Sequence, residues 1–551
     1  MRRFLRYGLV GGLLALVAMP AFGVAETGPT KVDYPSGLLA HLSSGAAVRI
    51  MLANPSSTPA SMRGRLQQVS RAAAAVRDSG GGGTLGDRFN LDDVGLPQNE
   101  EAVTVCRSDP RVVVSGTNDY RGILDPEQNF SGWYFSHNGG RSVAKEGLLP
   151  SIAGLPSSGD PVVQSDAGCH IYYADLNFSV PQNGPVGAQN GVGLYRTDPH
   201  ILASCPGGQD PDKLTTPACW PTRKLVASGA LNTAGAGHFL DKPWMDVGQS
   251  GSAGEVVWVT YSDFTQSPAA PLGFTGAQIK AVRCTANLTQ CTSPILISGA
   301  DQDIQSSDVT IAKDGSTLIS WVQIHGELEQ TAQTFTVKVR VAPPGSTTFG
   351  PTRVVAQESN PLPYGGFLHA NDFRIATYPK SIMPTVNGKP RIYVTWDRCR
   401  FRLLDTTCEE PQIVLTHSDD LGATWSTPET VSAGGDNYFP AISDEVGSKR
   451  FLIAYYTNRH DSVFHNRQDV ELATIGAASG KVVRRQRVTR RSNETEADPI
   501  LGGFFIGDYI DVHLLQGRAY VAYNANYRSV RVLGQGFPVP QQDNYLRLIH
   551  D

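Results

Sequence analysis

Carboxylates, guanidinium groups and phenols recur in this chain at two kinds of place, just ahead of one apolar run and just behind the next. Ahead of such runs stand Glu100 and Glu101, Asp160, Asp241 with Lys242, Asp308, Lys380, Asn437, and Asp508 before Tyr509. Behind the partner runs stand Asn118 to Arg121 (with Asp119 and Tyr120 between), Asp175, Asp263, His325, Asp397 with Arg398, Asn458 with Arg459, and Asn524 to Arg528. Gathered at one mouth, such groups suit a polar, sugar-like ligand: carboxylates move protons and accept hydroxyl bonds, and guanidinium forks grip anions. Taken singly, the same residues serve equally well as strand-end caps and as bridges between neighbouring elements. Other chemistries lack their residues. The chain has no Gly-x-Ser-x-Gly elbow, no His-Glu-x-x-His and no phosphate-binding Gly-rich loop with Lys and Ser/Thr. His460, Asp461 and His465 beside Arg459 have metal-ligand chemistry, but a solvated loop accounts for them better.

The elements that must carry these residues are short strands. From about residue 102 an apolar strand, a polar turn and a second, aromatic-rich strand return at intervals of roughly 55 to 75 residues, the mark of a repeat architecture. The pairs are 102–105 with 112–114, 161–163 with 171–173, 243–247 with 256–261, 309–311 with 318–321, 382–386 with 392–396, 439–442 with 451–456, and 509–512 with 519–523. One turn is especially specific. Ser418, Asp420, Gly422, Thr424 and Trp425 satisfy the pattern Ser-x-Asp-x-Gly-x-Thr-Trp between two apolar runs. Its physics is that of a tight antiparallel turn: Asp420 accepts backbone N–H bonds, Gly422 takes a left-handed conformation, and Trp425 packs between neighbouring sheets. Every polar atom of the motif is used by its own turn, so it marks the scaffold and not the chemistry. Ser136, Asn138, Gly140, Ser142 and Val143 form a worn copy of it.

These strings resemble the Asp-box of sialidases and related propellers, and residues 102–551 resemble that family's fold. The resemblance implies an all-β chain, a β-propeller of six or seven four-stranded blades with a short N-terminal extension, each Asp-box joining a blade's third and fourth strands. In such a meander the polar residues above fall on the opposite face, around the axis. A member of the family would be an exported glycoside hydrolase of exo-α-sialidase type acting on extracellular glycans. The resemblance implies an arginine cluster of Arg121, Arg459 and Arg528 for a substrate carboxylate, with Asp397 and Asp508 also binding substrate. It further implies Asp119 or Asp241 as acid, and Tyr509 or Tyr523 as a nucleophile beside Glu100 or Glu101. The family's first-blade Phe/Tyr-Arg-Ile-Pro has its nearest counterpart in Phe373-Arg374-Ile375-Ala376, without the proline and late in the chain. That departure, and the single intact box, favour the alternative of a non-catalytic propeller binding glycan or protein through its polar face. No cofactor is expected beyond a calcium ion that axial carboxylates could hold.

The rest of the chain sets the compartment. Arg2, Arg3 and Arg6 precede an apolar run from Leu9 to Ala18 and small residues up to Ala25, which reads as a signal peptide over 1–25. A secreted or periplasmic chain with no membrane span in its mature part is the expectation. Residues 26–101 read as an N-terminal extension and linker with one helix over about 61–78, draped over the body. A formal charge of −4, falling to −7 on loss of the three leader arginines, lends no support to a nucleic-acid partner. Eight cysteines in an exported chain favour disulfides. The close neighbours Cys205 with Cys219, Cys284 with Cys291 and Cys399 with Cys408 read as staples, leaving Cys106 with Cys169. Asn129, Asn177, Asn287 and Asn493 head Asn-x-Ser/Thr strings.

Overall fold

The computed structural model describes residues 42, 46, 49–51, 87–91, 96–179, 189–208, 210, 213–231, 237–266, 274–301, 303–326, 333–362, 366–371, 373–403, 407–498, 501, 505–530 and 539–550. The leader and the expected helix over 61–78 lie outside these residues. All seven strand pairs named from the sequence head antiparallel meander sheets. The first four sheets are Gln98–Val105, Val113–Asp119, Ser131–Ser136 and Lys145–Leu148; Val162–Ser165, Ile171–Phe178, Gln189–Thr197 and Thr222–Ala230; His238–Gln249, Glu255–Gln266, Phe274–Thr285 and Ile295–Leu296; and Ile304–Ile311, Thr317–His325, Thr334–Ala342 and Arg353–Glu358. The fifth holds Lys380–Ile382, Ile392–Arg398, Gln412–Ser418 and Glu429–Thr430, and the sixth Asn437–Asp444, Arg450–Thr457, Asp469–Gly476 and Val482–Arg487. The last holds Asp511–Leu515, Arg518–Val530 and Val539–His550. Innermost strands neighbour one another in sequence order, and the last meets the first, so the sheets close into a ring. This is a β-propeller.

Residues ahead of 102 take part in closing the ring. The first inner strand starts at Gln98, inside the segment read as extension, and Arg88 pairs with Tyr545 on the last strand. Phe89 N donates to Asn544 O at 2.8 Å, and Leu546 N to Asp87 O at 3.0 Å. Residues 87–89 thus run along the outer edge of the last sheet, which the C-terminal strands alone leave with an unpaired edge. The segment is too short and too polar for strand periodicity to reveal it.

Each sheet is buried on both faces by its neighbours, which is why second strands such as Phe451–Tyr456 are apolar without alternation. Apolar clusters lie in the seams. Trp258 and Trp321 sit in the one between the third and fourth sheets, and Tyr393 and Phe451 in that between the fifth and sixth. Polar side chains then lock sheet to sheet by accepting a backbone N–H from the next inner strand. Asn118 accepts from Asp160 at 3.0 Å, Asn190 from Leu240 at 2.9 Å and Asp246 from Ile311 at 2.6 Å. Asp308 accepts from Ser381 at 2.8 Å, Asp397 from Phe439 at 2.9 Å, Ser443 from Leu514 at 3.0 Å and Asp511 from Val103 at 2.9 Å.

The Ser418–Trp425 turn has the geometry its residue types demand. Gly422 N donates to Ser418 Oγ (2.8 Å), and Thr424 N and Oγ1 donate to the two Asp420 oxygens (2.8 and 2.6 Å). These bonds hold the Asp420 carboxylate down at about 2, the Thr424 hydroxyl contributing most. Gly422 has φ +88°. The worn turn repeats the map: Gly140 N donates to Ser136 Oγ (3.1 Å), and Ser142 N to Asn138 Oδ1 (3.1 Å). Four disulfides join Cys106 to Cys169, Cys205 to Cys219, Cys284 to Cys291 and Cys399 to Cys408. Among the described residues no helix is long and apolar enough to cross a membrane.

Candidate axial site

One backbone device delivers side chains to the axis. Inner strands, or the residues leading into them, carry a residue in the left-handed region: Glu100 (φ +59°), Asp160 (+57°), Lys242 (+52°), Ser306 (+57°), Phe439 (+53°) and Gly507 (+98°). In the first, third, fourth and sixth sheets the pairing register shifts at that point, so each is a β-bulge that re-aims the strand. Side chains next to the bulges meet across the ring.

Asp508 is the hub. Arg374 Nε donates to its Oδ1 at 3.0 Å and Arg374 Nη2 to its Oδ2. Lys242 Nζ reaches Oδ2 at 3.2 Å and the Tyr378 hydroxyl at 3.2 Å. Burial pushes the Asp508 carboxyl up, but Arg374 and Lys242 outweigh it and hold the group below its ordinary value. Glu100 Oε1 accepts from Asp508 N at 3.2 Å, and its Oε2 from Asn118 Nδ2 at 2.7 Å. Gly507 is required there, because a Cβ would stand 3.0 Å from Glu100 N. The Tyr509 hydroxyl donates to Pro161 O at 3.0 Å, and its ring meets Trp244 edge to face at 5.5 Å. Burial pushes that phenol well above its usual value, the nearby Glu100 and Asp160 adding to the effect. Asp160, Lys242, Trp244, Tyr378, Lys380, Asp508 and Tyr509 line a narrow cavity of ≈30 Å³, about one water across.

On the Asp-box side the channel widens to ≈300 Å³, lined by Arg107, Trp244, Asp246, Asp308, Lys380, Asp444, Asp511 and His513 among others. Burial raises Asp246 and Asp511 to about 7, and Asp444 to about 6 against the pull of Arg107. It lowers Lys380 to about 8 despite Asp308, and His513 to about 4. Asp246 and Asp511 each spend both oxygens on backbone N–H groups, so they clamp seams. Among the described residues no group of three or more His, Cys, Asp or Glu is placed to hold a metal ion.

The opposite mouth is covered. Leu42, Ala46, Ile50 and Met51 of the N-terminal segment are buried among Tyr120, Phe130, Phe178, Phe239, Phe264 and Phe505. Arg374 Nη1 donates to Leu42 O at 2.8 Å. Arg49 donates to Ser157 O at 3.2 Å and lies over the Phe178 ring at 4.9 Å. The sequence pointed to a polar mouth; the structure adds an apolar collar outside it, carried by aromatic strand-end residues that a search for charges passes over.

The residues expected to act divide accordingly. Asp508 and Tyr509 stand at the axis with Glu100. Arg121 is buried in its own sheet, paired with Asp119 (Nη2 at 2.5 Å) and Glu146 (2.8 Å), and Asp119 also accepts from the Tyr134 hydroxyl at 2.8 Å. Arg459 pairs with Glu471 of its own sheet at 2.6 Å. Arg528 is buried opposite Gln541 on the last strand, and Asp241 is buried opposite Ser262. Asp397 is the fifth sheet's clamp, raised by burial to about 7. Glu101 is fully buried; neither carboxylate oxygen has a hydrogen-bond partner among the described residues, and burial raises it well above its ordinary value. It sits within the body, away from the channel lining. Arg121 and Arg459 are therefore paired within their own sheets, and the cations around Asp508 and the narrow cavity include Arg374, Lys242 and Lys380. Arg374 was visible in the sequence as the altered Phe-Arg-Ile string; nothing local there told of its pairing with Asp508.

No family model matches the chain, and no curated protein matches it in sequence. Solved structures similar to it include a Hadza microbial sialidase (TM-score 0.41, 10% identity, covering 75% of this chain and 73% of that one). Others are a Penicillium chrysogenum α-L-arabinanase complexed with arabinobiose (0.40, 12%, 70% and 95%) and the phage phi92 endosialidase (0.41, 10%, 84% and 69%). At these values no residue role transfers.

Proposed function

We propose that this chain is an exported propeller glycoside hydrolase acting on extracellular glycans, with its chemistry at the axial cluster. The observation that carries the reading is the convergence of Asp160, Lys242, Tyr378, Asp508 and Tyr509 from separate sheets on one axial cavity, with Glu100 bonded to Asp508 N beside it. Glycoside hydrolysis needs two carboxyl groups about the scissile bond, one to protonate the leaving oxygen and one to attack or to activate water. Glu100 lies in the first innermost strand and Asp160 two residues ahead of the second, both at left-handed positions, and Asp160 lines the cavity. Asp508, kept ionised by Arg374 and Lys242, positions those cations and is a poor proton donor. Trp244 and Tyr509 supply aromatic walls to the same cavity.

The narrower form, an exo-α-sialidase, assigns the grip on a substrate carboxylate to Arg374 with Lys242, in exchange for Asp508, and the nucleophile to Tyr509 with Glu100 as its base. A second reading, a non-catalytic propeller that binds glycan, has its own support: the collar side of the axis is covered by Leu42 to Met51, and the axial cations are already paired.

The test is turnover of a panel of aryl glycosides that includes a sialoside and an α-L-arabinofuranoside, using the full chain and a chain cut before residue 87. Turnover lost in Glu100→Gln and Asp160→Asn, with folding intact by near-UV dichroism, supports the enzyme. Absence of turnover from both chains overturns it in favour of the binding reading.

A further inference from the structure

A second cavity, of ≈470 Å³, lies away from the axis where the last sheet meets the first. That is within the ~300–1,000 Å³ range of ligand sites. Its walls carry Arg88, Arg141, Arg490, Arg518 and Arg547, and its one carboxylate is Asp87. Asp87 is shared: Arg547 Nη1 lies 2.8 and 2.9 Å from its two oxygens, and Arg490 Nε 3.1 Å from one. Arg88 is taken by Asp543 at 2.6 Å. Arg141 and Arg518 are exposed, and among the described residues neither guanidinium has a hydrogen-bond or ion-pair partner. Such an excess of cation in one concavity repels itself and draws anions, although the chain as a whole carries −4. The floor is apolar, formed by Leu546, Leu548 and Ile549 beneath Gly140, whose missing side chain keeps the groove open: a Cβ there would stand 2.8 Å from Leu546.

The geometry points to a binding groove for an anionic polysaccharide, one bearing carboxylate or sulfate groups, at the seam that closes the ring. Guanidinium forks match planar carboxylates and sulfates two bonds at a time. The apolar floor suits the C–H faces of sugar rings, which a phosphate backbone does not offer. The inference is independent of the axial chemistry and survives if the chain hydrolyses nothing.

Titration calorimetry with polygalacturonate and dextran sulfate, beside neutral dextran and duplex DNA, tests it. The full chain is expected to bind the two polyanionic glycans and not neutral dextran. The double variant Arg141→Ala/Arg518→Ala, whose guanidinium groups have no partner among the described residues, should bind at least about tenfold more weakly with an unchanged melting temperature. A control that removes two charges elsewhere, Lys313→Ala/Lys389→Ala, should change affinity less than about twofold. Equal loss in the control, unchanged binding by the double variant, duplex DNA bound as tightly as the glycans, or no binding at low salt would each overturn the proposal.

Discussion

Asp508 is where charge and burial oppose each other most directly. Its side chain is 4% exposed, with Arg374 and Lys242 at 13% and 9%, so water screens the cluster little. Removing one member of a buried ion pair leaves its partners uncompensated, at a cost of about 3–5 kcal/mol. Asp508→Asn is expected to lose that much in urea unfolding at pH 7. Because the folded carboxyl is held below its unfolded value near 3.9, its contribution is fully present above that value and vanishes as pH falls through the folded one. The gap between wild type and variant should therefore close below about pH 3.9, and a gap that stays constant with pH would refute the assignment. Of the residues singled out from the sequence, Asp508 and Tyr509 lie at the axis because position ahead of an inner strand dictates it, and Glu100, inside the first inner strand, bonds to Asp508 N beside them. Arg121 and Arg459 lie behind second strands as read, but the sequence could not show that Glu146 and Glu471, on neighbouring strands, would claim them.

At the scale of elements, local motifs were readable and partners across seams were not. The Ser418–Trp425 turn bonds within its own few residues, so its spacing carried its geometry. The clamps from Asp246, Asp308, Asp397 and Asp511 depend on which strand comes next in space, and four residues read as ligand-binding candidates or left unassigned turn out to hold seams. Cys106 and Cys169 staple the first two sheets across a separation of 63 residues. Opening a loop of that length costs about 4 kcal/mol in the chain-entropy picture. Cys106→Ser/Cys169→Ser is expected to show that loss in thermal unfolding, and much less than the loss predicted would mean that the seam packing alone holds these sheets together.

For the whole molecule the decisive step is closure of the ring. Phe89 is 1% exposed and packs with Val105, Tyr134 and Leu546 where residues 87–89 seal the last sheet against the first. Phe89→Ala is expected to cost about 3–5 kcal/mol and, because it opens the ring, to broaden the unfolding transition. A sharp transition at unchanged stability would show that closure does not govern cooperativity. The sequence by itself determined the class of fold, the number and order of strand pairs, the turn chemistry and the cysteine partners, because each follows from spacing within one repeat or from elimination. Tertiary structure alone decided which N-terminal residues meet the ring, 87–89 at the edge of the last sheet and Leu42 to Met51 over the apolar collar, and that Asp508 holds Arg374 and Lys242. Those contacts join residues up to 460 positions apart, and over such separations no local pattern records which charges and apolar side chains the folded chain will bring together.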